Sequence, residues 1–236
     1  MPLTRRQFLA TTTAAGIGLT ISSAATTGSG KPAFLGGKPM VTEPIPAWPI
    51  FDDAEKNALI NTLQSGKWFR GSGNQVAELE QAYARLLEAR HCVGTSSGTN
   101  ALVASMNAVG VGAGDEVILP PYTFVACVNA ILMLGAIPVF VDTDPETFQI
   151  NAAKIESAIT ERTSAIMTVH LGGYASDLDA ILEIARRHKL AVVEDACQAH
   201  LGEWRGRKLG TIATVGCFSF QASKNLTAGE GGAIIT

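Results

Sequence analysis

Seven short apolar, β-branched runs recur along this chain, and stretches of helical spacing separate most of them. That alternation permits few folds. The runs are His91 to Thr95, Glu116 to Leu119, Ile137 to Val141, Ser164 to Val169, Leu190 to Val193, Ala213 to Phe220 and Ala233 to Thr236. Between them lie Thr99 to Val109, Phe124 to Leu134, Ala152 to Ile159 and Leu178 to His188, each long enough for a crossover helix. Two further helical segments come first, Ala54 to Gln64 and Gln75 to Ala89, the second with Val76, Leu79, Tyr83, Leu86 and Leu87 in one stripe. Strands apolar on both faces and separated by helices predict a mostly parallel sheet covered on both sides. The expected fold is an α/β three-layer sandwich with a seven-stranded, mostly parallel sheet.

The 236 residues are 47% hydrophobic, which suits a chain with a full core. A net charge of −3, no Lys/Arg-rich block and no zinc-ligand spacing argue against nucleic-acid binding, and no metal site is predicted. Cys92, Cys127, Cys197 and Cys217 lie far apart within apolar runs and read as buried thiols rather than a disulfide scaffold.

The first residues differ from the rest. Thr4-Arg5-Arg6-Gln7-Phe8-Leu9 opens a weakly apolar run that ends near Ser23-Ala24-Ala25, and it resembles a twin-arginine export signal. A membrane-spanning helix would need more Leu, Ile and Val than this run carries, so no stable membrane span is expected. The predicted organisation is a leader over 1–25, a linker and N-terminal arm over 26–49, and a large domain over 50–236. The expected location is the periplasm or another extracytoplasmic space, or the cytoplasm if the leader does not function. Because the chain stops at Ile235-Thr236, within its last strand, a longer protein with a second, smaller domain is expected, and this piece alone is expected to be inactive.

In open α/β sheets, ligands bind beyond the carboxyl ends of the strands. After the first run, Gly94-Thr95-Ser96-Ser97-Gly98-Thr99-Asn100 leads into a helix whose N–H groups suit a phosphate, although the same residues also suit a plain helix cap. Glu194-Asp195 puts an acidic pair where a buried strand ends. After the sixth run, Lys224 sits in a loop of small residues and glycines. A lysine amine, an acid for a pyridine nitrogen and a phosphate anchor are the parts that an aldehyde cofactor needs. Gly110-Val111-Gly112-Ala113-Gly114 precedes a strand rather than following one, which excludes a dinucleotide loop.

From about Phe34 onward the chain resembles the DegT/DnrJ/StrS family of aminotransferases. The motifs are S-G-T-N-A-L at Ser97 to Leu102, P-Y-T-F at Pro121 to Phe124, E-D-A-C-Q-A-H at Glu194 to His200, and F-S-F-Q-A-S-K-N-L-T-A-G-E-G-G from Phe218. The resemblance implies the large domain of a fold-type-I enzyme that uses pyridoxal 5'-phosphate. It implies that Lys224 is the Schiff-base lysine and general acid/base and that Asp195 pairs with the pyridine nitrogen. It further implies that Phe124 stacks on the ring, that Gln198 lies near the ring hydroxyl, and that Gly98, Thr99 and Ser219 hold the phosphate. The implied reaction moves an amino group from an amino acid, glutamate in many relatives, to a keto sugar or related ketone, in a homodimer. Lys224 argues against the related sugar dehydratases, which carry histidine there. A non-catalytic module that binds the same cofactor is the competing reading. Cys197 and the His170-Leu171-Gly172-Gly173-Tyr174 segment depart from the family pattern, the latter on the substrate side. His170 reads equally as a packed strand-end residue.

Overall fold

A computed structural model of the chain describes residues 31–236. The leader expected over 1–25 lies outside the described residues, as does the start of the linker. The described residues 31–46 belong to one unit, with a short 3-10 turn at Ala33–Leu35. The second unit, Ala47–Thr236, holds the sheet and its helices.

In that unit, α1 (Asp53–Ser65) starts at a capping box in which Asp52 and Glu55 bond each other's backbone N–H groups, and it buries none of its residues. Helix α2 (Gln75–Leu86) turns Tyr83 inward, while Leu79 and Leu86 of the expected stripe stay exposed. Then follow β1 (Cys92–Thr95), α3 (Gly98–Ala108), β2 (Glu116–Leu119), α4 (Val125–Met133), β3 (Ile137–Phe140), α5 (Ala152–Ile155), β4 (Thr163–Val169), α6 (Leu178–His188) and β5 (Ala191–Asp195). A small hairpin of β6 (Glu203–Trp204) and β7 (Arg207–Lys208) precedes β8 (Val215–Ser219) and β9 (Gly232–Ile235).

The main sheet has seven strands in the order β1-β9-β8-β5-β4-β2-β3. Every pairing from β8 to β3 is parallel, and β9 runs antiparallel to both of its neighbours. The carboxyl ends of β1, β8, β5 and β4 therefore meet along one edge, where β9 begins.

Period-two alternation divides the sheet's side chains between two cores. Val117 and Leu119, Met167 and Val169, Val193, and Val215 and Cys217 pack with Leu102 and Met106 of α3 and Ile131 of α4. Their sequence neighbours Ile118, Ile166 and Val192 pack on the other side with Ile155 of α5 and Ile181 and Ile184 of α6. This is the three-layer α/β sandwich. A third cluster joins Tyr83 and Leu87 to Phe218 and Phe220 at the β1 end.

Three segments depart from the sequence reading. The fifth strand continues past Val193 through Asp195, so both acids belong to the strand itself. The helix expected over Ala152 to Ile159 tightens after Ile155 into a 3-10 turn at Glu156–Ala158. The β6–β7 hairpin was not expected, since two-residue strands around Arg205 and Gly206, both at positive φ, carry no periodicity to read.

Candidate active site

Alternation along β5 decides what its two acids do. Asp195 shares the parity of Val193 and faces the α3–α4 side, whereas Glu194 shares that of Val192 and faces the other. Glu194 is fully buried there and accepts four hydrogen bonds: from His170 Nε2 (2.9 Å), and from the N–H groups of Gly210 (2.8 Å), Ile212 (2.8 Å) and Ala213 (2.6 Å). His170 Nδ1 accepts from the Ser176 N–H at 3.2 Å, so Nε2 carries the hydrogen and donates it to Glu194. Burial alone would raise the Glu194 carboxyl, but the His170 ring and these backbone donors outweigh it and hold it below the usual carboxylate range. His170 is thus a packed strand-end residue, and Glu194 staples the 210–213 turn to the sheet.

Asp195 is only 5% exposed. Its Oδ1 accepts from the Cys197 N–H at 3.1 Å and its Oδ2 from the Cys127 thiol at 2.8 Å. No cationic side chain among the described residues lies within ion-pair distance of it. A buried carboxylate with neutral donors and no counter-charge leaves room for a cationic N–H from a ligand.

Ser219 has the same parity on β8 as Cys217, whose thiol donates to Ser105 of α3 at 3.2 Å, so Ser219 faces the start of α3. There Ser97 caps the helix by accepting from the Asn100 N–H. Gly98 and Thr99 occupy the next two positions, where no earlier helical carbonyl exists to take their N–H groups. A Cβ on Gly98 would meet Ser219 Cβ at 2.7 Å and Cys197 Sγ at 2.9 Å. The lack of a side chain lets helix and strand close into one N–H-lined edge. Gly232 has a similar role: a Cβ there would sit 2.5 Å from the Ser97 carbonyl.

The loop after β8 is tied at several points. The N–H of Lys224 donates to the Gln221 carbonyl, Gln221 Oε1 accepts from both the N–H and the hydroxyl of Ser223, and Trp48 Nε1 donates to the Ala222 carbonyl. Lys224 Nζ lies 5.9 Å from the centroid of the Phe124 ring.

These parts enclose a cleft of about 400 Å³. Gly98, Thr99, Phe124, Asp195, Gln198, Ser219 and Lys224 all line it. Gln198 Oε1 accepts from the Gly172 N–H at 2.8 Å, so the unusual glycine of the 170–174 segment positions a cleft residue. Among the described residues Lys224 is the one basic side chain in the lining, and Glu230, Gln221 and Ser223 add polar groups.

Two buried groups behind the cleft have no role assigned from the sequence, although His200 closes the E-D-A-C-Q-A-H motif. Cys127 stands one turn after Phe124 on α4, where an apolar setting reads as core. His200 donates from Nε2 to the Ser219 carbonyl and takes the Tyr83 hydroxyl at Nδ1, bracing β8 against α2. Burial lowers its pKa, the nearby Lys224 charge adds to the effect, and the ring stays neutral. Burial also pushes the Cys127, Cys197 and Cys217 thiols up, and the Asp195 charge adds to this, so none offers a thiolate.

The sequence profile of the DegT/DnrJ/EryC1/StrS aminotransferase family matches residues 49–236. The L-glutamine:2-deoxy-scyllo-inosose aminotransferase of Streptomyces paromomycinus is 46% identical over 209 residues, covering 86% of this chain and 49% of that protein. Among solved structures, 3-amino-5-hydroxybenzoic acid synthase superposes with a TM-score of 0.79 at 39% identity, over 80% of this chain and 50% of that one. A Streptococcus pneumoniae protein assigned as a sugar aminotransferase, solved in its PLP form, gives a TM-score of 0.74 at 32% identity, over 79% and 51%. The chain spans about half the length of the relatives it matches.

Proposed function

Because this chain belongs to the DegT/DnrJ/EryC1/StrS aminotransferase family, we propose that its cleft holds pyridoxal 5'-phosphate and that the protein moves an amino group from an amino acid to a keto sugar or related cyclic ketone. The observation that carries this reading is the meeting of Asp195, buried without a cation, and the Lys224 amine in one cleft.

When bound, the cofactor supplies an aldehyde that carries the amino group and a protonated ring that draws electrons from the substrate carbon. The chain's own residues fit that group. Asp195 would hold the ring nitrogen protonated, since its uncompensated charge is answered by a cationic N–H. The Gly98 and Thr99 N–H groups and the Ser219 hydroxyl would take the phosphate at the start of α3. Phe124 would cover one ring face, with Gln198 near the ring hydroxyl. Lys224 would hold the cofactor covalently and, once displaced by the incoming amine, carry a proton at Nζ as general acid/base.

Relatives named for L-glutamine make glutamine the first donor to test, beside the glutamate expected from the sequence. A cyclic ketone of the 2-deoxy-scyllo-inosose type is the first acceptor. We also infer a homodimer, with support from the apolar side chains Tyr122, Phe124, Phe148 and Tyr174, which stand exposed. Export is inferred from Thr4 to Leu9 alone.

The test is borohydride reduction of the cofactor-loaded protein followed by peptide mass spectrometry, with turnover measured on glutamine and glutamate. The adduct should fall on Lys224. An adduct on Lys208 or Lys189, or no uptake of cofactor, would overturn the reading.

A further inference from the structure

The structure assigns Cys127 as the residue that positions Asp195, through a hydrogen bond from its thiol to the carboxylate. This rests on the proposed reading of the cleft. Four observations support it. The Cys127 thiol donates to Asp195 Oδ2 at 2.8 Å, and the Thr123 hydroxyl donates in turn to the Cys127 sulfur at 3.0 Å. Cys127 is fully buried. Oδ1 is held separately by the Cys197 N–H, so each carboxylate oxygen has one fixed neutral donor and keeps acceptor capacity for a ligand. Finally, Cys127 belongs to the first turn of α4, whose N-cap is Phe124, and its own N–H donates to the Phe124 carbonyl at 3.0 Å.

That last link gives the arrangement its purpose. One helix start carries both the aromatic ring that lines the cleft and the donor that fixes the acid at its floor. The Phe124 ring and the Asp195 carboxylate are thereby set relative to each other by α4 rather than by two independent loops. A catalytic acid must be held within a narrow angular range to act on a ligand atom, and a single backbone N–H leaves the carboxylate free to rock about that one bond. The thiol removes this freedom. Its donor state is secure, because burial first and the Asp195 charge second keep it protonated. An S–H is also a weak donor, so it orients the carboxylate without satisfying it as fully as a hydroxyl or an ammonium would. Cys127 touches no substrate in this scheme, and its role is positional.

The hydrogen bond itself can be read without cofactor. In the cofactor-free protein, the S–H stretching band lost in Cys127→Ser should move to higher frequency in Asp195→Asn, because an amide is a weaker acceptor than a carboxylate. A band that does not move would overturn the proposal. The positional role is read in the loaded protein. Cys127→Ala should weaken pyridoxal phosphate binding roughly fivefold to tenfold, from the loss of one weak donor. It should also lower kcat while leaving KM for the amino donor nearly unchanged. Cys127→Ser, which keeps a donor, should restore both to within about twofold, a rescue that simple core filling does not predict. Wild-type behaviour in Cys127→Ala, or equal losses in the Ala and Ser variants, would overturn the assignment. Failure of the wild-type protein to bind pyridoxal phosphate would instead sink the reading of the cleft, and the comparison of S–H stretching bands would still test this inference.

Discussion

Gly98 and Ser219 stand so close that a methyl group on the first would lie 2.7 Å from Cβ of the second. Helix propensity favours Ala over Gly by at most about 1 kcal/mol, whereas overpacking at a closed contact costs about 1–3 kcal/mol. The steric effect should win. Gly98→Ala is expected to lower the melting temperature of the cofactor-free protein and to weaken cofactor binding, both measurable by thermal denaturation and absorbance titration. A rise in melting temperature would mean that α3 moves away at little cost.

Asp195→Asn keeps the size of the side chain and its acceptor oxygen but loses the charge. Covalent capture of the cofactor on Lys224 should survive, while single-turnover transfer from glutamine slows by about two to three orders of magnitude, as for other buried electrostatic groups. Near-normal turnover would assign the role to another acid, Glu230 of the cleft lining being the first to examine.

Glu194→Gln tests the staple on the opposite face of the same strand. The amide NH₂ would meet backbone donors at Gly210 or at Ile212 and Ala213, leaving buried N–H groups unpaired, for a loss of roughly 2–4 kcal/mol near neutral pH. The sign of the pH dependence follows from the lowered native pKa. The stabilisation is fully present above the unfolded carboxylate value, about 4.3, and is lost as pH falls through the lower native one. Denaturant melts of both proteins should therefore differ most near neutrality and converge in acid. A constant difference across that range would show that the stabilisation does not depend on the carboxylate charge.

Arg5→Lys together with Arg6→Lys should keep the protein in the cytoplasm, since paired lysines retain the charge but not the twin-arginine signature. Fractionation and N-terminal sequencing decide it. A native leader found intact on a cytoplasmic protein would remove the export proposal.

Much of this architecture is legible because buried parallel strands and crossover helices leave strong patterns. The run Ala165 to Val169 is mostly apolar on both faces for a reason now visible: Ala165, Met167 and Val169 feed the α3–α4 core while Ile166 feeds the α5–α6 core. The cleft was equally readable where a residue type is chemically conspicuous, as with Lys224 in its small-residue loop. What escaped is tertiary. Nothing around Cys127 separates a thiol that bonds a carboxylate from one that fills a core, because its partner lies 68 positions away. The two acids of β5 look alike in sequence, and only the parity of the strand sends one to the cleft and the other to the 210–213 turn. The β6–β7 hairpin is too short for periodicity to reveal it.

The pairing of Cys92 with Ile235, across almost the whole domain, sets a timetable. β1 reaches the rest of the sheet only through β9, so during synthesis the β2–β3–β4–β5 block can assemble long before β1 has a place to dock. The phosphate edge at Gly98 follows β1, while the acid at Asp195 belongs to the early block. The phosphate edge thus draws on both ends of the domain, Gly98 just after β1 and Gly232 at the start of β9, and it is closed only when β9 joins β1 to β8.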